Sequence, residues 1–293
     1  MKEHFRNAKL SKPSLATVDI INDILIEYRK QGYILTLRQL YYQLVSRDII
    51  PNQDKEYAKL SHVLKEARMG GLVDWASIED RIRVPKIPYI VDDVDDAIDD
   101  TINMYRLDRM KDQDTYIEVW IEKDALSSVF YRVTKKYGIR LMVNRGYSSV
   151  SAMYKAAERI MDAPAEESVI FYFGDHDPSG LDMVRDIEDR LEEFGVELDV
   201  FHCALTMDQI DQYNPPPNPA KVTDPRAKLY IQRHGDTSWE LDALQPSVLE
   251  QLVEDYVLKF IDMDRYEDIL QQEEDDKETL ESFKPKNDEP EDE

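Results

Sequence analysis

Apolar residues in the first third of the chain recur at helical spacing. LATVDIINDILIEYRKQ, residues 15–31, predicts a helix. Thr36 is placed to cap a second one, TLRQLYYQLVSR, ending at Arg47. After the turn DIIPNQ, a third is expected over roughly 54–69, stopped by Gly70-Gly71. LVDWASIEDRIRV, 72–84, then reads as strand, turn and strand. Three helices followed by a small hairpin is the order of a winged helix, with the third helix the one that enters a DNA groove. A helical protein-interaction module fits the same pattern.

From residue 115 the period changes. TYIEVWIEK, IRLMVNRG, ESVIFYFGDHD and VELDVFHCAL read as strands. Between them DALSSVFYRVTKKYG, SSVSAMYKAAERIMDA and SGLDMVRDIEDRLEEFG read as helices, the first stopped by Gly138 and the second capped by Ser148 or Ser149. Alternating strand and helix implies an α/β fold, a parallel sheet covered by helices. YNPPPNPAKVTDPRAK, 213–228, predicts a stiff irregular loop, and a long apolar-striped helix follows a turn at Pro246. The expected domains are 1–91, helical and DNA-binding; 92–114, an acidic solvated connector; 115–272, the α/β domain with a C-terminal extension; and 273–293, a disordered acidic tail.

The net charge of −24 argues against nucleic-acid binding by the whole surface. The distribution changes that picture. Residues 1–90 carry 15 Lys and Arg against 11 Asp and Glu, whereas 262–293 hold 15 acids against 4 bases. A DNA contact is therefore expected in the first third, on the helix that carries Lys55, Lys59, Lys65 and Arg68. Cys203 is the only cysteine, which excludes an intrachain disulfide and a cysteine-rich zinc site and fits a reducing, cytoplasmic setting. No apolar run is long enough to predict a membrane span, and the first residues lack a signal-peptide core.

The strand ends carry the candidate chemistry. In a parallel sheet, ligands gather at the carboxyl ends of the strands. Glu122 closes the first strand; Asp175 and Asp177 close the third. If those strands are neighbours, three carboxylates converge and favour a hard divalent cation, Mg²⁺. Asp177-Pro178-Ser179-Gly180 leads into a helix whose N-terminus favours phosphate. Asp175 and Asp177 equally fit turn and cap positions. Glu118, four residues earlier, competes with Glu122, and alternation sends His176 into packing.

IEKDAL (121–126) and GDHDPSGLDM (174–183), with the looser NRGYSSVSAMYKA (144–156) between them, resemble the Toprim domain over roughly 115–205. Within that family they look most like the topoisomerase VI A subunit and its meiotic relative that makes double-strand breaks. The resemblance implies a Rossmann-like Toprim domain after a winged-helix domain, with Mg²⁺ on Glu122, Asp175 and Asp177. It also implies a nucleophilic tyrosine in an Arg-x-x-Tyr-Tyr-like motif. TLRQLYYQL (36–44) supplies Arg38, Tyr41 and Tyr42, which makes Tyr42 the nucleophile by position. Arg38 shares its helical face and would lower the phenol pKa or hold the phosphate. A Tyr-Tyr pair in an amphipathic helix is equally ordinary core. WELDAL (239–244) is a weaker match that points to Glu240.

The family works as a homodimer in which the tyrosine of one protomer faces the acids of the other, beside an ATPase B subunit. No G-x-x-x-x-G-K-[ST] is present, so a stand-alone A-like protein is expected, with a B-type partner not excluded. The implied activity is Mg²⁺-dependent DNA cleavage by tyrosine transesterification. Two rivals stand beside it: a Toprim metal nuclease that uses water, and a non-enzymatic DNA-binding or DNA-mimicking regulator.

Overall fold

A computed structural model describes residues 2–79, 88–144 and 146–284. The chain begins with a helical region, α1 (Lys12–Lys30), α2 (Leu37–Ser46) and α3 (Asp54–Met69). Ser11 caps α1, and Thr36 with Gln39 forms a capping box on α2. The buried faces of the three helices share one core that includes Ile21, Leu25, Leu40, Leu44 and Leu64. Its outer partner is Ala243, from the far end of the sequence.

The hairpin expected at 72–84 differs. Gly71, at φ 71°, reverses the chain, and Leu72 N–H closes back on Ala67 O at 2.8 Å. Val73 is thereby buried in the helical core, and Asp74 caps a 3-10 turn, Trp75–Ser77, in place of the first strand. Among the described residues of this segment only a single bridge, Leu35 to Ile78, is strand-like. The second strand of that hairpin, 80–84, falls in 80–87, outside the described residues.

α4 (Val94–Met104), capped by Asp93, buries none of its residues. The α/β unit follows: β1 (Thr115–Ile121), α5 (Ser127–Tyr137), β2 (Arg140–Val143), α6 (Val150–Met161), β3 (Glu167–Phe173), α7 (Pro178–Glu192) and β4 (Asp199–Ala204). The sheet order is β2-β1-β3-β4 and every pairing is parallel, a four-stranded Rossmann-like sheet. β1 and β3 are central, which explains their near-continuous apolar sequence. Val119, Ile121, Phe171 and Phe173 pack with α5 on one face; Trp120, Ile170 and Tyr172 pack with α6 and α7 on the other. Register carries Ile121 opposite both Val143 and Phe173, so the three strand ends lie level.

Beyond the sheet come α8 (Met207–Tyr213), the short pair β5 (Asn218–Pro219) and β6 (Thr237–Ser238) flanking α9 (Ala227–His234), then α10 (Pro246–Val257) and α11 (Met263–Glu281). The tail expected to be disordered over 273–293 is corrected as far as Glu281 by α11, and its part 285–293 lies outside the described residues. Glu273 is fully buried and takes Arg109 Nη2 at 2.8 Å and Lys277 Nζ at 2.9 Å. Burial alone would raise its pKa, but those donors hold it down at about 2. A charge run reads as solvated only while its partners, here Arg109 at the other end of the domain, go unseen. No described helix is long and apolar enough to cross a membrane.

Candidate active site

Adjacent residues at the end of β1 go separate ways. Alternation puts Glu122 on the face of Trp120 and Lys123 on the face of Ile121. Glu122 N–H still pairs with Phe173 O at 3.0 Å, and its carboxylate accepts the Asp175 N–H at 3.1 Å. Burial pushes the Glu122 pKa up, and Asp177 and Glu240 add to this against the Asp175 N–H and Lys123.

Beyond β3 the chain turns within a few residues. Asp177 caps α7: its Oδ1 accepts from Ser179 N–H at 2.9 Å, Gly180 N–H at 2.7 Å and the Ser179 hydroxyl at 2.8 Å. A Cβ on Gly180 would lie 2.1 Å from Asp175 O, so only glycine lets the helix start this close to the strand exit. His176 Nδ1 pairs with the Tyr230 hydroxyl at 2.9 Å, and its ring packs against His234 and Trp239; burial lowers its pKa to about 4. His176 and Trp239 also exchange backbone hydrogen bonds at 2.9 and 3.1 Å. That bridge brings the segment 239–244 onto the strand end.

The delivered segment meets both cations. Asp175 Oδ1 accepts the Leu241 N–H at 2.8 Å, and its Oδ2 takes Lys123 Nζ at 2.8 Å. Lys123 also contacts Glu240 and, at 3.2 Å, Asp242. Arg38, from α2, places Nε on Asp242 at 2.6 Å and Nη2 on Glu240. Burial alone would lower the Lys123 pKa, but Asp242, Asp175 and Glu240 hold it above its ordinary value. Glu240 is the mirror case: burial would raise it, and Lys123 and Arg38 bring it below the usual range. Asp242, fully buried, is part of WELDAL, but that match points only to Glu240; its signal in the sequence is a second acid two residues after Glu240.

Tyr42 lies against this network, with the Arg38 guanidinium carbon 5.7 Å from its ring. The expected activation of the phenol does not follow. Burial raises its pKa, Asp242 and Glu240 raise it further, and the opposition of Arg38 and Lys123 is smaller. Tyr41 lines the same cavity as Tyr42, but its hydroxyl is engaged: it donates to Asn52 Oδ1 at 3.0 Å and accepts Gln53 N–H at 2.8 Å, fixing the turn before α3. Arg38, Tyr42, Asp175, Asp177 and Glu240 line one cavity of about 480 Å³. Tyr42 thus faces Asp175 and Asp177 of its own chain.

Among the described residues no three His, Cys, Asp or Glu side chains are gathered as a ready metal-ligand set. The convergence of Glu122, Asp175 and Asp177 on one ion is therefore not assembled here, because Asp175 is turned onto Lys123 and Leu241. The donor set nevertheless suits Mg²⁺. Glu122 and Asp177 each keep one oxygen without a hydrogen bond among the described residues. Among the described residues, Arg38 and Lys123 are ion-paired with Asp175, Glu240 and Asp242, whereas Glu122 and Asp177 have no ion pair; Lys221 lines the same cavity. Mg²⁺ characteristically binds one or two carboxylates and keeps several waters.

The remaining candidates separate. Glu118 is fully buried and already satisfied by Tyr116, Trp120 and both Arg159 Nε and Nη2, at 2.6 to 3.1 Å, so it is removed as a rival ligand. Lys55, Lys59 and Lys65 are exposed on α3. Arg68 differs from them: it stacks on Trp75 at 4.4 Å and donates to Trp75 O at 2.8 Å, which makes it part of the helical core's edge. No protein-family model matches the chain, and no curated protein matches it.

Proposed function

We propose that this protein cleaves DNA by Mg²⁺-dependent transesterification, with Tyr42 as nucleophile, and that its two parts act as a winged-helix domain and a Toprim domain. One observation carries the reading: Tyr42 and the strand-end acids Asp175 and Asp177 line a single cavity. Tyr42 Oη would form a bond to phosphorus as the bond to the leaving sugar oxygen breaks. Its proton is released, and the sugar oxygen takes one up. Arg38, engaged by Glu240 and Asp242, positions α2 on the sheet more than it activates the phenol. Glu122 and Asp177 would hold Mg²⁺, with Asp175 beside them. Bound there, the ion offsets negative charge on the phosphate. Lys55, Lys59 and Lys65 would track the DNA backbone.

A single chain carries both halves of the chemistry, so a homodimer would serve to cut two strands, one site per protomer. Incubating supercoiled plasmid with the protein and Mg²⁺, then quenching in detergent, tests the reading. The expected product is protein covalently attached to a DNA end. Tyr42→Phe should lower its yield at least about a thousandfold while leaving the fold intact. Free ends that persist in Tyr42→Phe would instead establish the water-using metal nuclease. That second reading is favoured by one feature, the upward-shifted and buried phenol of Tyr42.

A further inference from the structure

The α6–α7 face of the strand ends holds a set of unused hydrogen-bond donors. Met142, Trp120 and Tyr172 all pack on this face. Two residues further along β2 and β1 come Asn144 and Glu122; the equivalent place on β3 is Gly174. Asn144 N–H pairs with Ile121 O at 2.6 Å and Glu122 N–H with Phe173 O at 3.0 Å, so the ladder continues and these positions stay in register. Neighbouring strands lie about 4.8 Å apart, so Glu122 is flanked at that spacing on both sides.

Gly174 has no side chain, and the Tyr172 phenol fills the space. A Cβ there would stand 2.4 Å from Tyr172 Oη. The hydroxyl is therefore carried forward, level with Glu122. Tyr172 is fully buried and its hydroxyl has no hydrogen-bond partner among the described residues. Asn144, 2% exposed, is in the same condition: its Oδ1 accepts from Ser148 Oγ, but Nδ2 has no partner among the described residues. A buried donor left unsatisfied is costly, so each calls for an explanation. Between them stands a carboxylate with one oxygen not hydrogen-bonded among the described residues.

We propose that Tyr172 and Asn144 are positioning residues for Glu122, donating from its two sides to orient the carboxylate as a ligand of a divalent cation. The proposal rests on the Mg²⁺ reading above. Ligating carboxylates are characteristically held by such outer hydrogen bonds, which fix the oxygen presented to the metal. Asn144 opens the loosely matched segment 144–156 without being singled out there, and Tyr172 reads only as strand core.

The test is calorimetric titration of the full chain with MgCl₂, alongside thermal unfolding without added metal, for wild type, Tyr172→Phe, Asn144→Ala and Glu122→Gln. Wild type should bind Mg²⁺ and Glu122→Gln should not. Tyr172→Phe and Asn144→Ala should each weaken binding by about tenfold or more. Without metal, Tyr172→Phe should unfold at the wild-type temperature or a few degrees above it, because it removes an unsatisfied hydroxyl. A structural tyrosine would behave in the opposite way, lowering the melting temperature and leaving Mg²⁺ affinity alone. If wild type binds and both variants bind within twofold of it, the positioning role is overturned and the metal reading stands. If wild type takes up no Mg²⁺, both fall. Should Tyr172→Phe fail to fold, its hydroxyl role is overturned, and Asn144→Ala decides the remaining donor.

Discussion

Two sides of one sheet edge satisfy their charges in different ways. On the Lys123 side every acid has a cation: Asp175, Glu240 and Asp242 share Lys123, and Arg38 doubles the contact with the last two. On the Glu122 side an acid, a cap and two buried donors remain incompletely satisfied among the described residues. One residue of sequence, Glu122 to Lys123, separates them. The first side behaves as a clamp that fixes the helical region to the sheet; the second has the excess of acid and donor that a ligand would relieve. Asp175 touches both, with its side chain on Lys123 and its backbone N–H on Glu122.

The largest expected effect breaks the clamp. Asp242 is fully buried and holds both Arg38 and Lys123. Asp242→Ala should cost about 3–5 kcal/mol, the usual consequence of leaving a buried charge without its partner. Urea unfolding monitored by fluorescence measures it. A loss below about 1 kcal/mol would mean that Glu240 and Asp175 alone satisfy both cations, and the clamp would shrink to a surface contact.

A smaller effect sharpens the other side. Gly174→Ala would drive a methyl group into the Tyr172 hydroxyl, 2.4 Å from where the new Cβ must lie. The phenol has backbone beneath it and the α6–α7 core around it, so it yields only by leaving its place. Overpacking of this kind costs about 1–3 kcal/mol. Gly174→Ala combined with Tyr172→Phe should recover only part of that, because the oxygen is gone while Cε1 and Cζ still lie 2.7 Å from the new Cβ. Thermal unfolding of the two variants checks it, and equal losses in both would show that the ring atoms, not the oxygen, set the cost.

The sheet is legible from residues alone because its cause is local in sequence: runs such as VIFYF must be buried on both faces, and Gly138 marks a helix end. The acids are legible because strand ends are where a parallel sheet opens. What escapes depends on contacts across long separations. Val73 reads as a strand residue, and only the reversal at Gly71 takes it into the helical core. Glu273 reads as tail, and only Arg109 shows it to be buried. Asp242 and Asn144 sit inside weak matches that single out other residues, and Tyr172 reads as strand core. The His176–Trp239 bridge delivers the first, and a missing side chain at Gly174 makes room for Tyr172.

The smallest effect is a difference in sign with pH. Glu240 is held below its ordinary pKa of 4.5 by Lys123 and Arg38, which overcome the burial that would raise it. Its folded form therefore binds fewer protons than its unfolded form in the window just below that value, and stability falls as pH falls through it. The contribution is fully present above about pH 5. Ion pairs open to solvent on one side, as this one is through Arg38, are worth at most about 1 kcal/mol. Burial shifts Glu122 and Asp175 the other way, so their ionisation costs stability as pH rises. The net curve mixes both signs, and the clamp is isolated only by difference. Glu240→Gln should lose more stability at about pH 6 than at about pH 3, on either side of that window, measured as the gap between its unfolding free energy and that of wild type. A gap that stays constant over that range would place Glu240 outside the clamp and leave Asp242 as its sole anchor for Arg38.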